Sequence, residues 1–245
     1  VPLSKAFERG YYDQMVFLIR NLFEYALKTN DSLKFAVLTG CMRISKESIF
    51  TGLNNLKVLS ITEVQFDEYF GFTDHEVRKM LEYYDLSQYY EQVKEWYDGY
   101  EFGNREVYCP WDVINYCDTL LAEPDTMPGN YWLNTSSNEA VKHFIEKSGN
   151  VGARREIEKL IAGETIVKEI HQELTYKDMY QSIDNIWSVL YTTGYLTKRG
   201  KPEDNQFRLA IPNLEIRKIF TLQIMELFRK SVPENGGKLN SFCLA

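Results

Sequence analysis

The chain has 245 residues, and its 28 Lys and Arg against 35 Asp and Glu give a formal net charge of −7. Its 14% of aromatic residues excludes an intrinsically disordered chain, and its length gives room for one large domain or two small ones. No apolar run approaches the roughly 20 residues that span a bilayer, so the sequence predicts no membrane-spanning segment. The chain begins at Val1 and lacks the layout of a signal peptide, from which we expect a fragment of a longer protein.

The first 65 residues have the pattern of an α/β unit. Apolar residues recur at three- and four-residue spacing over 11–29, which predicts an amphipathic helix. A nearly continuous apolar run over 33–39 is stopped by Gly40 and predicts a strand buried on both faces, and 58–61 is a second candidate. A helix followed by a buried strand is half of a parallel βαβ unit. Because so small a sheet would leave open edges, we expect further strands upstream of this chain.

The region from 66 to 180 is predicted to be mainly helical. Asp74 is a suitable N-cap for its first helix, and Pro110 suits the first turn of another. The glycines of 98–104 indicate tight turns between helices. The predicted helices cover 74–84, 87–97, a segment that begins at Pro110, 137–147 and 153–162.

The C-terminal part changes pattern again. A helix over 183–191 is predicted to end at Gly194, and Asn213 is predicted to cap a closing helix. Between them lie two strand-like segments, 195–198 and 207–211. The order helix, hairpin, helix is that of a winged-helix domain over 181–231. The remaining residues, 232–245, resemble the start of an element that is cut short.

Basic charge is concentrated in this C-terminal part. Residues 182–231 have eight Lys or Arg and five Asp or Glu, a net charge of 8 − 5 = +3, whereas residues 1–181 have 19 − 29 = −10. Lys198, Arg199 and Lys201 lie where the wing of a winged helix would be, and they are candidates for contact with DNA phosphates. Glu203 and Asp204 follow at once, so a solvated, charged hairpin tip is the alternative interpretation.

The end of the predicted strand at 33–39 has residues suited to phosphate chemistry. In doubly wound α/β proteins ligands bind at the carboxyl ends of the strands. There the Thr39 hydroxyl could contact a phosphate or an attacking water, and Arg43 could neutralise phosphate charge. The alternative is a turn that ends a strand, followed by a surface arginine.

Other chemistry has little support in the sequence. The four cysteines and three histidines lack metal-ligand spacing, so we predict no metal site, and we expect reduced thiols and a cytoplasmic protein. The acidic residues near Asp74 fit a helix cap better than a pair of catalytic carboxylates. The aromatic segment 96–100 is typical of a core, and no nucleophile with a neighbouring base is found. We therefore assign no catalytic residue to this chain.

Several long stretches of the sequence resemble one family. They are LKFAVLTGCMRISKESIFTGLNN (33–55), FDEYFGFTDHEV (66–77), KEWYDGYEF (94–102), WDVINY (111–116), YWLNTSSN (131–138), WSVLYTTGYL (187–196) and IPNLEI (211–216). In this order they resemble the bacterial AAA-ATPase-like family, whose members are P-loop ATPases often joined to a C-terminal nuclease-like domain of the PD-(D/E)XK type. The resemblance covers nearly the whole chain.

The resemblance also implies which parts of the family are absent from this chain. A P-loop and an acidic Walker-B strand precede the corresponding segment in the family, and the sequence has no Gly-x-x-x-x-Gly-Lys-Ser/Thr motif. ATP and Mg²⁺ are thus expected to bind the intact protein and not to bind this chain tightly. Its expected partners are the missing N-terminal P-loop segment and the C-terminal nuclease-like domain of the same protein, with DNA as a further candidate. In this family Thr39 would lie at the end of the sensor strand, with Arg43 close by.

The predicted fold is mainly α with some α/β. It consists of a truncated P-loop ATPase core (1–65), a helical lid (66–180), a winged-helix-like domain (181–231) and the start of a downstream segment (232–245). The predicted function is that of a fragment of an ATPase whose nucleotide cycle switches an attached effector. The alternatives are a non-catalytic module that binds DNA or protein, and a degenerate relative that has lost its nucleotide chemistry.

Overall fold

Helices alternate with small antiparallel sheets in the computed structural model of the chain, which describes residues 2–28, 30–40, 56–132, 151–172, 174 and 182–231. The helices are α1 (Pro2–Glu8), α2 (Tyr12–Leu27), α3 (Asp74–Tyr83), α4 (Tyr90–Tyr97), α5 (Pro110–Ala122), α6 (Val151–Ile161), α7 (Ile183–Thr192) and α8 (Leu214–Ser231). The strands are β1 (Tyr100–Phe102), β2 (Arg105–Val107), β3 (Ile166–Glu169), β4 (Thr197–Lys198) and β5 (Gln206–Ala210). The mixed α/β class agrees with the prediction in its coarse form.

The chain divides into two compact units. The first unit contains residues 1–67, 101–105 and 167–209, and the second contains 68–100, 106–166 and 210–245. The described parts of α7 and of the β4–β5 hairpin thus belong to the first unit, whereas α8 belongs to the second. The P-loop core, the winged helix and the four-part division of the chain stay predictions. The predicted helix at 137–147 and the segment 232–245 lie outside the described residues.

The N-terminal helices α1 and α2 pack on each other across a short turn. Gly10, with φ of +76°, supplies the left-handed conformation that this turn requires. Leu3, Tyr12 and Val16 form the buried contact, and Met15, Ile19 and Phe23 lie at its edge. The helix predicted over 11–29 is therefore confirmed, and one stripe of its apolar residues is buried on α1.

The strands predicted at 33–39 and 58–61 are wrong. The described residues of 30–40 form neither helix nor strand, and Phe35 and Val37 are 81% and 68% exposed. Val58 and Leu59 are exposed in the same way. A strand that is buried on both faces needs hydrogen-bonded neighbours, and in the described part of the chain no strand pairs with either segment.

A three-stranded sheet in the order β3-β5-β4 lies beside α7 in the first unit. The β4–β5 hairpin closes through Asp204 and Asn205, whose φ values of 47° and 60° match a type I′ turn. Gly194, with φ of +85°, follows the end of α7, as predicted. The sequence prediction of α7 and of this hairpin is confirmed, whereas β3 was not predicted.

The core of the second unit lies between α3, α4 and α5. Buried side chains from these helices form one cluster, and Leu214 of α8 packs against it. Helix α8 contacts α4 and α6. Segment 96–100 contributes Trp96, Tyr97 and Tyr100 to the buried residues, so its prediction as core is confirmed.

Thr73, and not Asp74, is the N-cap of α3. The Thr73 hydroxyl accepts the backbone N–H of Glu76 at 3.4 Å, and the Glu76 carboxylate accepts the backbone N–H of Thr73 at 2.9 Å. This reciprocal capping box moves the start of the helix by one residue. Both side chains suit an N-cap, so the choice depends on the glutamate three residues after Thr73.

No described helix is both long and apolar enough to cross a membrane.

Candidate functional site

The two predicted nucleotide-sensing residues have different outcomes. Thr39 lies in the exposed segment 30–40, where its hydroxyl is accessible to solvent. Arg43 lies outside the described residues. The structure thus describes the position of the threonine alone, and both sensing roles stay predictions.

Lys198 is buried in an ion pair rather than presented at a basic surface. Its side chain is 3% exposed, and its Nζ donates to the Glu101 carboxylate and to the carbonyl of Gly103, each at 2.6 Å. A buried ammonium that is already neutralised cannot reach a DNA phosphate without breaking this pair, so the structure argues against Lys198 as a DNA contact. Lys201 is exposed and Arg199 is half-buried, and contact of these two with DNA stays a prediction.

Further hydrogen bonds hold the backbone and the carboxylate of Glu101 in place. The Glu101 backbone N–H donates to the Thr197 hydroxyl at 2.8 Å, and the Gly200 backbone N–H donates to the Glu101 carboxylate at 3.1 Å. We call the group of Glu101, Gly103, Thr197 and Lys198 the clasp. It fixes the tip of the β1–β2 hairpin to β4 within the first unit.

The hairpin tip is held on another side by the loop around residue 63. The Gly103 N–H donates to the carbonyl of Ile61 at 2.8 Å, and the Asn104 N–H donates to the Asp67 carboxylate at 3.0 Å. Gly103 has φ of +51°, and a Cβ there would lie 2.5 Å from the carbonyl oxygen of Glu63. Only glycine fits this close approach of backbone to backbone.

Two buried carboxyl groups meet in the second unit. Asp112 and Glu215 lie in the first turns of α5 and α8 and are 1% and 0% exposed. One oxygen of each carboxyl group, Asp112 Oδ1 and Glu215 Oε2, is buried without a hydrogen-bond partner. The charge of Asp112 acts on Glu215, and two buried carboxyl groups that interact avoid repulsion when one of them holds a proton. We call these two residues the acid pair.

The acid pair is held by backbone groups as well as by its proton. The Glu215 carboxylate accepts the Trp132 backbone N–H at 2.8 Å. Burial, together with the charge of Asp112, raises the pKa of Glu215 to about 8, and burial also raises the pKa of Asp112. Since the pKa of Glu215 lies above neutrality, we place a proton on Glu215 at pH 7.

Weakly acidic side chains surround this pair. Burial and the charge of Asp112 raise the pKa of the Cys109 thiol, which precedes α5. Burial also raises the pKa of Tyr97, whose hydroxyl donates to the Gly129 carbonyl at 3.0 Å. The rings of Tyr97 and Tyr131 are 6.1 Å apart. Because the pKa values of Cys109 and Tyr97 are raised, both groups are neutral at pH 7 and supply no countercharge to the pair.

Asp74, the acidic residue predicted to cap α3, belongs to a hydrogen-bonded network at the surface. Its carboxylate accepts the Tyr90 hydroxyl at 2.5 Å, the Tyr108 hydroxyl at 2.8 Å and Arg78 Nε at 2.7 Å. Partial burial disfavours its charge, but these hydrogen bonds outweigh that effect and lower the pKa of Asp74 to about 2. A carboxylate with three donors and so low a pKa is a poor proton acceptor, which agrees with a structural role.

The sequence contains a signal for the acid pair that our prediction did not use. Asp112 lies four residues before Tyr116 and eight before Leu120, on the buried stripe of α5. Glu215 lies four residues before Ile219, on the buried stripe of α8. An acidic residue on an apolar stripe indicates a buried carboxyl group that must be neutralised.

Two arrangements among the described residues matter for chemistry. The acid pair can hold a proton, and the clasp contains an ion pair. No group of three or more His, Cys, Asp or Glu side chains is placed to hold a metal among the described residues. The described cysteines, Cys109 and Cys117, are free, and burial raises the pKa of Cys117 to about 11, so neither is an activated nucleophile.

Comparison with known proteins finds one relative of unestablished role. An uncharacterized protein in the vnfD 5′ region of Azotobacter chroococcum mcd 1 is 26% identical over 204 residues. The match covers 81% of this chain, and it spans only 36% of the length of that protein. No protein-family signature and no solved structure matches the chain.

Proposed function

We propose that this chain is part of an ATP-driven conformational switch of the AAA-ATPase-like kind. In this proposal residues 1–65 complete an α/β nucleotide-binding core, and residues 66–180 supply lid surfaces. The P-loop and the attached effector belong to the intact protein. One observation carries the proposal, namely a second, exposed apolar stripe on α2, together with exposed apolar side chains in the segment 33–38.

The second stripe of α2 has the spacing of a face that packs on another layer. Leu18, Leu22 and Tyr25 recur at i, i+4 and i+7, and they are 61%, 61% and 81% exposed. The first stripe is already covered by α1. A helix with apolar residues on two faces is typical of an element between two layers, as in an α/β sandwich.

The size of the exposed apolar surface supports the proposal. Leu18, Leu22, Tyr25, Phe35 and Val37 each forgo roughly 1.5–3 kcal/mol while they stay in water. The sum is comparable to the whole stability of a domain, about 5–15 kcal/mol. A sheet laid on this surface would remove these side chains from water.

The residues present in this chain do not fit a nucleotide by themselves. The sequence has no glycine-rich phosphate loop with its lysine, and the described residues form no cluster for a metal ion. We therefore derive no chemical step through ATP or Mg²⁺. What this chain contributes to the proposal is the exposed Thr39 hydroxyl and the surfaces that a nucleotide-binding core would contact.

The test is Mg²⁺-dependent ATP hydrolysis by the protein encoded by the complete reading frame that contains this chain. We expect a P-loop and an acidic strand upstream of Val1, and measurable turnover. Replacing Thr39 with valine is expected to lower kcat roughly ten- to hundredfold with little change in ATP affinity, as for the loss of one positioned hydrogen-bonding group. Ser32→Ala, in the same exposed segment, is the matched control and should retain wild-type kcat.

Two outcomes would overturn the proposal. One is a reading frame without a P-loop, and the other is a full-length protein without ATP turnover. If that protein instead binds duplex DNA in a salt-dependent manner, and loses binding when Arg199 and Lys201 are replaced by alanine, the binding-module alternative replaces the ATPase.

A further inference from the structure

We propose that the exposed side of α5 is a docking surface for a basic amphipathic helix of a partner protein. This surface, which we call the α5 face, consists of Trp111, Ile114, Asp118 and Leu121. Helix α5 lies within the second unit. The proposal therefore goes beyond the ATP-driven switch and does not depend on it.

Helix α5 has apolar residues on two opposite sides. One side, which includes Val113 and Leu120, is buried in the core of the second unit. On the other side Trp111, Ile114 and Leu121 are 52%, 49% and 52% exposed. A surface helix that has no partner presents polar residues on its outer side, so a second apolar stripe indicates a contact surface.

The α5 face has a rigid support. Within the helix, Asn115 Nδ2 donates to the Trp111 carbonyl at 2.7 Å. On the buried side, the Tyr116 hydroxyl donates to Gln92 Oε1 of α4 at 2.7 Å. Because the helix is already ordered, a partner that docks on it pays little conformational entropy, and a small surface can then bind well.

The spacing of the α5 face is that of helix pairing. Positions 111, 114, 118 and 121 are separated by three, four and three residues, the heptad spacing at which one helix packs along another. At about 1.5 Å per residue the face is roughly 15 Å long, or about three helical turns. A helix laid along α5 is thus the partner element that can contact all four side chains.

The charge of this part of the chain favours a basic partner. Residues 106–132 contain five Asp or Glu and no Lys, Arg or His. Asp118 lies within the α5 face, and Glu123 and Asp125 follow the helix at exposed positions. Such charge repels nucleic acids and anionic membranes, and it attracts Lys and Arg side chains that flank an apolar stripe.

Asp118 also argues against a second copy of this chain as the occupant. In a parallel pair two copies of Asp118 would face each other, and in an antiparallel pair its carboxylate would face Ile114 or Leu121. Either arrangement buries a negative charge without a counterion. A Lys or Arg at the matching position of a partner helix supplies the counterion and fixes the register of the pair.

The experiment measures binding of the full chain to a fluorescein-labelled synthetic peptide by fluorescence anisotropy. The peptide is an amphipathic helix of about three heptads, with leucine at a and d, one central arginine at a, and lysine and alanine elsewhere. We expect saturable binding that Trp111→Ala and Leu121→Ala each weaken about tenfold or more. Leu222→Ala, at a leucine of α8 that is 50% exposed, is the matched control for Leu121→Ala and should bind like wild type.

A charge exchange tests the role of Asp118. A second peptide differs from the first only in a glutamate that replaces the central arginine. The wild-type chain should prefer the arginine peptide, and Asp118→Arg should prefer the glutamate peptide. This reversal does not follow from a general attraction between an acidic protein and a basic peptide.

Three results would overturn the proposal. They are no binding of the arginine peptide, equal weakening by Leu121→Ala and Leu222→Ala, and an unchanged preference in Asp118→Arg. Circular dichroism checks the fold of each variant, and Ile114→Ala replaces any alanine variant that does not fold. Sedimentation equilibrium without peptide tests the second copy, since dimerisation that Trp111→Ala abolishes would assign the α5 face to self-association instead. None of these readouts changes with the outcome of the ATPase assay.

Discussion

The clasp of the first unit and the acid pair of the second unit bury ionisable groups in opposite ways. In the clasp, Lys198 faces the carboxylate of Glu101 and the carbonyl of Gly103, so the charge is matched by an opposite charge. In the acid pair, Asp112 faces Glu215, and a proton takes the place of a countercharge.

This difference indicates which part of the fold responds to the pH of the solvent. A matched ion pair is held by the attraction between opposite charges. A pair of like groups depends on a proton that the solvent can remove. We therefore expect the stability contributed by the acid pair to vary with pH.

The largest expected effect of a single substitution comes from breaking the clasp. Glu101→Ala leaves Lys198 buried without a counterion, and we expect a loss of about 3 kcal/mol in the free energy of unfolding. Urea denaturation at pH 7 measures it. The double variant Glu101→Ala/Lys198→Met should recover more than half of the loss, because it removes the uncompensated charge. Lys201→Met is the control and should stay within about 0.5 kcal/mol of wild type. Equal losses at positions 101 and 201 would contradict the buried ion pair.

A second prediction concerns the pH dependence that the acid pair imposes. The folded-state pKa of Glu215, about 8, lies above its ordinary value of 4.5, so between these values the folded chain holds a proton that the unfolded chain has released. This contribution to stability is complete below about pH 4.5 and is lost as the pH rises through 8, by up to about 1.4 kcal/mol per pH unit. Asp112→Asn should flatten this slope. An unchanged slope, in denaturation series over pH 5–9, would argue that the pair does not titrate in this range.

A third prediction tests the close approach at the hairpin tip. Gly103→Ala places a methyl group against the Glu63 carbonyl, and we expect a loss of about 2 kcal/mol. Gly200→Ala is a matched control, since Gly200 also has positive φ, +76°, but has open space around its Cβ position. Gly200→Ala should therefore lower the free energy of unfolding only by the cost of placing alanine at a positive φ, about 1 kcal/mol. The difference between the two variants isolates the contact, and no difference would mean that the tip is not held there.

The smallest expected effect is at the start of α3. Thr73→Ala removes the side chain that accepts the Glu76 N–H, with an expected loss of about 1 kcal/mol. Thr221→Ala, at an exposed position inside α8, should change stability by less than about 0.5 kcal/mol. Thermal denaturation of both variants resolves the two cases. A larger loss at Thr221 than at Thr73 would contradict the assignment of the cap.

The helices were predictable because their signals are local. The spacing in α2, the proline that begins α5, Gly194 after α7 and the Asn213 side chain that accepts the Ile216 N–H each act within one or two turns. The strand predicted at 33–39 is wrong because an apolar run forms a buried strand only where neighbouring strands pair with it, and local sequence does not reveal such neighbours.

For the charged groups too, contacts between residues far apart in the sequence could not be predicted. The sequence predicted Lys198 at the surface, because its partner, Glu101, is 97 positions away in the sequence. The acid pair joins residues that are 215 − 112 = 103 positions apart. Its members could have been noticed singly, as acidic residues on apolar stripes, but their mutual contact could not be derived from spacing alone.

The exposed stripe of α2 has a practical consequence for anyone who produces this chain by itself. A helix that exposes Leu18, Leu22 and Tyr25 to water is expected to associate with a second copy of the chain or with a chaperone. Self-association should therefore increase with concentration during purification. Replacing Leu18 and Leu22 with glutamine should keep the chain monomeric while α1 and the buried stripe remain intact.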